Sequence, residues 1–263
     1  MTPPADTPSP ADAAPAILAC GDGTTIAYRA SSGAEPGVIF LGGFASDMSG
    51  TKATALEAHC RREGRAFLRF DYTGHGESSG RFEDGTIGRW TEDALRVLDA
   101  VTEGPQILVG SSMGGWIMLL AALARPARIA GLIGIAAAPD FTEELMWARF
   151  PPEARRALET EGVWREPSEY QEGGYPVTMA LIEDGRKHLL LDRAALAVHV
   201  PVRLIHGMMD RSVPWSTAPR IAALLLSHDV TVKLIKDGDH RLSREQDLAI
   251  LFDTLDALCA AIG

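Results

Sequence analysis

Cysteine is scarce. Cys20, Cys60 and Cys259 are widely spaced and odd in number, and no C-x-x-C occurs. That suggests neither a disulfide framework nor a zinc site and fits a reduced compartment. Positive charge is also in short supply: 25 Lys and Arg stand against 35 Asp and Glu, a formal balance of −10, with no basic run anywhere. Long-range attraction to nucleic acid or to an anionic lipid surface is therefore not expected. No apolar stretch approaches the roughly 18 to 20 residues that cross a bilayer, so no membrane span is expected. The opening MTPPADTPSPADAAPA has neither Lys nor Arg nor an apolar core. It reads as neither a secretory leader nor an Arg-rich transit peptide, and the expected location is cytoplasmic. Its five prolines mark residues 1–15 as a disordered tail. A G-x-G-x-x-G and a Lys-Ser/Thr after clustered glycines are both missing, which excludes a dinucleotide fingerprint and a P-loop. No cofactor and no metal is expected.

What the chain does have is alternation. Its 263 residues, 46% apolar, suit one domain with an insertion. ILAC and TIAYRA flank GDGT as an antiparallel hairpin. Strands GVIFLGG (37–43), AFLRFDY (66–72), QILVG (106–110) and IAGLIGIAAA (129–138) then alternate with helices over 51–64, 87–101 and 116–124. This is the beat of a mostly parallel sheet covered by helices. It breaks at Pro139. Residues 139–197 show helical segments without a convincing strand, after which VRLIHG, a helix near 217–226, VTVKLI and a last helix over 243–261 resume the pattern. Helices inserted between two parallel strands are expected to lie as a cap over the strand ends, where open α/β sheets bind ligands.

In VGSSMGGW (109–116), only Ser112 has glycines two residues before and two after it, so Ser112 and not Ser111 fits G-x-S-x-G. A strand precedes it and a helix follows, as a nucleophile elbow requires. Gly110 and Gly114 are expected to clear space in a strained turn. A serine hydroxyl needs a base, and the base needs an orienting acid. IHGMMD leaves Asp210 just beyond one strand, and KDGDH leaves His240 just beyond the last. Both fall at strand ends and in the order serine, acid, histidine. Of seven histidines, six take bland readings: His59 and His228 in or at the ends of surface helices, His188 and His199 at the border of the insertion, His206 inside a strand and His75 in the loop DYTGHGES. Asp237 and Asp239 are rival acids, too close to His240 in sequence to reach its ring easily from the far side.

Acyl transfer also needs two backbone N–H groups aimed at the developing oxyanion. Met113, at a helix N-terminus, is one candidate. Phe44, after the glycines of FLGGFAS, is the other, with Gly43 as its alternative. DYTGHGESSG reads as a tight loop and not a phosphate site, since no basic residue attends its glycines. Trp116, Met146, Trp147, Met179 and Trp215 are candidates for a pocket that takes an acyl chain. The competing reading is that the insertion simply builds a small core of its own.

LGGF, DYTGHGES, GSSMGGW, HGMMD and GDH, in that order, resemble the α/β-hydrolase superfamily across about residues 17–262. VIFLGGFASDMSGTKA, RFDYTGHGESSG, GPQILVGSSMGGW, GVWREPSEY, IHGMMDRSVPW and DHR are similar to the branch known from animal mitochondria as a palmitoyl-protein thioesterase and acyl-glucuronide esterase. The resemblance implies a mostly parallel sheet of about eight strands, with an amino-terminal antiparallel hairpin and a helical cap. The core would be 16–138 with 198–263, and the cap 139–197. It implies Ser112, Asp210 and His240 as a triad cleaving acyl thioesters or carboxylic esters through an acyl-enzyme. The substrate would be a small molecule or an acylated protein. Two departures accompany it: no mitochondrial leader is evident, and Gly42 stands where many members carry histidine. Alternatives with the same residues are carbon–carbon bond hydrolysis, perhydrolysis, or a sensor that does not turn over. The sequence is silent on oligomeric state.

Overall fold

A computed structural model describes residues 14–167 and 173–262. All but the last two residues of the expected tail lie outside that range. Strands β1 (Ala16–Ala19) and β2 (Thr25–Ser31) form the expected hairpin, its turn pinned where Thr24 N donates to Asp22 Oδ1 at 3.0 Å. Next come β3 (Ala34–Leu41), α1 (Thr51–Arg62), β4 (Arg65–Phe70), α2 (Ile87–Val101), β5 (Gln106–Ser111), α3 (Met113–Ala124) and β6 (Ile129–Ile135). The insertion holds a π-helical turn (Thr142–Trp147), α4 (Pro152–Glu161), β7 (Val163–Glu166), β8 (Tyr175–Thr178) and α5 (Met179–Gly185). Then β9 (Val202–Gly207), α6 (Thr217–Leu224), β10 (Val230–Ile235) and α7 (Glu245–Ile262) complete the order.

Eight strands form one sheet in the order β1-β2-β4-β3-β5-β6-β9-β10, with β2 antiparallel to both neighbours and every other pair parallel. Register matters more here than order. Leu41 pairs with Gly110, Ser111 with Ile135, Ile135 with Ile205, and Gly207 with Ile235. The carboxyl ends of β3, β5, β6, β9 and β10 thus finish along one edge, and the loops that follow them meet there.

Successive side chains of each central strand face opposite layers. Val38, Phe40, Ile107, Val109 and Ile205 pack with α1 and α7 through Leu56, Cys60, Leu251, Leu255 and Leu258. Ile39, Leu41, Leu108 and Leu204 pack with α2, α3 and α6 through Trp90, Leu98, Ile117 and Ile221. Each fully buried Leu, Ile or Val contributes roughly 1.5–3 kcal/mol, so both layers are anchored by many such side chains. The two-sided burial explains why these strands read as continuous apolar runs. α2 starts where Thr86 Oγ1 accepts from Arg89 N at 3.2 Å, a cap worth about 1 kcal/mol.

The insertion departs from the all-helical expectation. Val163–Glu166 and Tyr175–Thr178 pair as an antiparallel sheet. Four-residue strands are too short for a period-2 signal to stand out beside the neighbouring helices, so the sequence hides them. α5 ends at Gly185 and gives way to a short 3-10 turn at Arg186–His188. The insertion is bolted at its base by Asp140, buried just after β6, whose carboxylate accepts from Leu190 N and Leu191 N, both at 2.8 Å. A second tie is Gly88 N, which donates to Asp184 Oδ2 at 2.7 Å.

Candidate active site

β5 ends at Ser111 and α3 begins at Met113, so Ser112 alone makes the turn between strand and helix. Its φ of 53° and ψ of −117° lie outside the favoured regions, a conformation costing of order 1–3 kcal/mol. The surroundings over-determine it. Ser112 N donates to Ile135 O at 2.9 Å, while Ser112 O accepts from Gly115 N at 2.9 Å and Ala138 N at 3.1 Å. A Cβ on Gly114 would collide with the Leu41 and Gly42 carbonyls, and one on Gly110 with the backbone of Gly114. The glycines therefore do what their spacing suggested. Ala45, Ala136, Asp140 and Leu242 also have positive φ, and all four sit in loops leaving the same sheet edge. Backbone strain is concentrated around Ser112.

The loops after β9 and β10 bring the other two candidates to it. His240 Nε2 is 3.1 Å from Ser112 Oγ, and His240 Nδ1 is 2.7 Å from Asp210 Oδ2. Asp210 is buried, and its Oδ1 accepts from Ser212 N and Val213 N, both at 2.8 Å. Burial by itself would raise the pKa of this carboxyl. Hydrogen bonds from His206 and His240 outweigh it and hold Asp210 well below the usual carboxylate range. An ionised carboxylate only accepts, so His240 carries its proton on Nδ1 and turns a lone pair on Nε2 toward the serine hydroxyl. Asp237 instead pairs with Arg244 Nη1 at 2.8 Å, and Asp239 accepts from Leu242 N at 2.9 Å. Neither rival is spent on His240.

His206, expected only as a strand residue, meets Asp210. Its fully buried ring places Nε2 at 3.1 Å from Asp210 Oδ2 and 3.2 Å from Val213 O. The four-residue spacing of histidine and aspartate in IHGMMD was the available signal, but only the turn after β9 folds the two together. His59 lies in helix α1, where its ring turns inward: it stacks on Phe252 at 4.5 Å, and Nε2 lies 2.8 Å from Asp256 Oδ1.

Phe44 and Met113 both face a small cavity beside Ser112. The Phe44 ring is locked edge-on or tilted among Phe82, Trp90, Phe141 and Tyr175, with centroids 5.0 to 6.1 Å away. Gly42 leaves this loop without a histidine, and the DYTGHGES segment braces it instead. Asp71 Oδ1 accepts from Met48 N at 2.6 Å, Arg69 Nη1 donates to Met48 O at 2.7 Å, and Asp71 Oδ2 accepts from Glu77 N at 2.8 Å. Burial, only partly offset by those two amides, raises the Asp71 carboxyl above its ordinary value.

Two cavities meet at Ser112 and His240. One, about 180 Å³, is lined by Phe44, Met113, Phe141, Leu145, Met146 and Val213 among others. The other, about 610 Å³, is more polar and includes Ser46, Thr51, Lys52, Tyr175 and Arg241. Of the five residues expected to line an acyl pocket, Met146 alone lines either of these two cavities. Trp116 is wholly buried, its indole N–H donating to His188 O at 3.1 Å. Trp147 lies under the guanidinium groups of Arg186 and Arg155 at 4.8 and 5.6 Å. Met179 packs against the core, and Trp215 is partly exposed. Helical spacing does not reveal which face of a short segment turns inward, and here Trp116 and Trp147 serve packing. Among the described residues, no cluster of His, Cys, Asp or Glu could hold a metal, and no helix is long and apolar enough to cross a membrane.

A serine in a strained strand-to-helix turn, facing a histidine and a buried aspartate from later strand ends of a mostly parallel sheet, defines a hydrolase architecture. The chain belongs to the alpha/beta hydrolase family, whose model matches residues 38–253. It is 45% identical over 234 residues to the human mitochondrial palmitoyl-protein thioesterase ABHD10, spanning 89% of this chain and 76% of that protein. The bovine counterpart is 43% identical over 243 residues, covering 92% and 79%. The mouse alpha/beta hydrolase domain-containing protein 10 structure superposes with a TM-score of 0.88 at 42% identity, covering 95% of this chain and 100% of that one. A putative hydrolase from Agrobacterium vitis gives 0.87 at 39%, covering 92% and 96%. Together these establish an enzyme that hydrolyses esters or thioesters. They also correct the cytoplasmic expectation, because the relatives it matches are named as mitochondrial proteins.

Proposed function

We propose that the enzyme cleaves acyl thioesters or carboxylic esters with Ser112 as nucleophile, His240 as general base and then acid, and Asp210 as the group that orients His240. The unbroken chain of 3.1 and 2.7 Å contacts from Ser112 Oγ through His240 to Asp210 carries this reading. Ser112 Oγ attacks the acyl carbonyl while its proton passes to His240 Nε2. The tetrahedral oxyanion forms beside Met113 N–H and Phe44 N–H. As the C–S or C–O bond breaks, His240 returns the proton to the departing thiol or alcohol. Water then enters, gives a proton to His240 and releases the acid as Ser112 regains its hydroxyl.

The 180 Å³ cavity, with its Phe141, Leu145, Met146 and Val213 walls, suits the apolar part of the acyl group. Residues 139–197 act as the cap, since Phe141, Leu145, Met146 and Tyr175 reach the two cavities from there. A palmitoylated protein is a substrate consistent with the names of the relatives, and small acyl esters such as acyl glucuronides fit the same chemistry. The decisive experiment is fluorophosphonate labelling of wild type and Ser112→Ala, together with turnover of graded acyl thioesters and esters. Loss of labelling in a folded mutant supports the reading. Undiminished labelling of the mutant, or turnover confined to carbon–carbon substrates, refutes it.

A further inference from the structure

Hydrolysis at Ser112 requires space for two things, the acyl group and the group that leaves, and the two cavities on either side of His240 differ in chemistry. The smaller is walled by apolar side chains. The larger carries two cations, Lys52 and Arg241, and the hydroxyls of Ser46, Thr51 and Ser243. Lys52 is partly buried and fixed in place by donating to the Arg241 carbonyl at 2.5 Å. Thr51, Lys52 and Ala53, the first turn of the twelve-residue α1, line the same wall. That turn has no side-chain cap and no acidic residue, so its positive end is uncompensated from within the helix. Asp47 is the one carboxylate among the lining residues, and it is turned onto its own loop, accepting from Ser49 N at 2.8 Å. Asp239 lies near Lys52 but accepts from Leu242 N.

We propose that the larger cavity receives the leaving group and that Lys52 and Arg241 select leaving groups carrying a phosphate. Two cations, the hydroxyls of Ser46 and Thr51 and a helix N-terminus offer more donors than the two oxygens of a carboxylate can use, and they match the several oxygens and the near-double charge of a phosphate. Burial pushes the Lys52 ammonium down to about 8, with Asp239 opposing and Arg241 reinforcing the shift. A bound dianion would relieve that cost. The substrate class is then an acyl ester or thioester of a phosphorylated alcohol or thiol. This rests on the reading of Ser112 as nucleophile and adds the identity of the other half of the substrate.

The test compares thioesters of one acyl group with mercaptoethyl phosphate, mercaptoethanol and mercaptopropionate, and with their longer-chain homologues. The readout is the ratio of kcat/KM for the phosphate over that for the neutral alcohol, in wild type, Lys52→Met and Arg241→Gln. Wild type is expected to favour the phosphate, and each variant to lower the ratio roughly tenfold. Lys52→Arg, which keeps the charge, should retain most of it and separates charge recognition from any folding defect. A ratio near one in wild type at both chain lengths, or a ratio untouched by both variants, overturns the proposal. Preference for the carboxylate over the phosphate overturns the phosphate assignment. Fluorophosphonate labelling of the same wild-type sample distinguishes these failures from failure of the Ser112 reading, which would show as no labelling and no turnover of any acyl donor.

Discussion

His206 and His240 address the same oxygen: Asp210 Oδ2 lies 3.1 Å from one imidazole and 2.7 Å from the other. The carboxylate is thus held from both sides, and the His206 N–H, shared with Val213 O at 3.2 Å, fixes the direction in which Asp210 faces His240. His206 touches neither Ser112 nor the two cavities beside it, so in the proposed mechanism it is a positioning residue.

Replacing His206 by Phe should lower kcat by roughly ten- to a hundredfold, the consequence of removing one buried hydrogen bond to a charged group. KM should change little, because no substrate-facing surface is altered. Gln, which can donate to Asp210, should recover part of the loss. Steady-state kinetics of the three proteins decides the matter, and equal kcat in all three would remove His206 from the machinery.

At the elbow, Gly114→Ala should be among the most damaging small substitutions in the chain. Its methyl group would meet the Leu41 and Gly42 carbonyls, which cannot move without displacing the loop that carries Phe44. A destabilisation of about 1–3 kcal/mol is expected, or a fall in melting temperature of roughly 2–12 °C for a chain of this size. Activity should fall further than stability accounts for. Calorimetry beside kinetics on the folded fraction measures both.

Met146 limits the apolar cavity from the insertion side. Met146→Ala should move the preferred acyl chain toward greater length, and Met146→Trp toward shorter chains, with the reaction otherwise intact. A kcat/KM series over acyl length provides the check; an unchanged optimum in both variants would place the acyl chain elsewhere.

Acid stability should carry the mark of His75. Its ring is buried among Tyr72, Phe82 and Trp90, Nε2 has no partner, and burial pushes its pKa down to about 4. The unfolded chain, near 6.5, binds the proton first. Stability is therefore full above pH 6.5 and is lost as pH falls from there through about 4, by at most about 3 kcal/mol from this group. His75→Phe should flatten that part of the curve. Denaturant unfolding of both proteins at pH 7, 5.5 and 4.5 tests it, and parallel curves would contradict the assignment.

Most of the architecture was legible because it is written in local patterns. Two-sided burial makes the central strands continuous apolar runs, and the 3.6-residue period of α2 is confined to a segment bounded by Thr86 and Thr102. Ser112 was legible because Gly110 and Gly114 admit one centre for the motif. Asp210 and His240 followed from their places after strands. The β7–β8 pair was hidden by its brevity, and the pocket residues by the fact that a short amphipathic segment does not announce which neighbour its apolar side will meet. Trp116 and Trp147 show this: both look like pocket aromatics in one dimension, yet one is buried under His188 and the other lies beneath two arginines.

The chain by itself determined the alternating α/β pattern, the choice of Ser112 over Ser111 and the order of the three polar groups, since each depends on spacing along the backbone. Only the tertiary structure decided that His206 shares Asp210 with His240, that Asp71 and Arg69 brace the loop of Phe44, and that Lys52 and Arg241 stand on one wall of the larger cavity. Those relationships join residues up to 189 positions apart, as Lys52 and Arg241 are. They are set by strand register and by which loop ends meet at the sheet edge, quantities that no local pattern encodes.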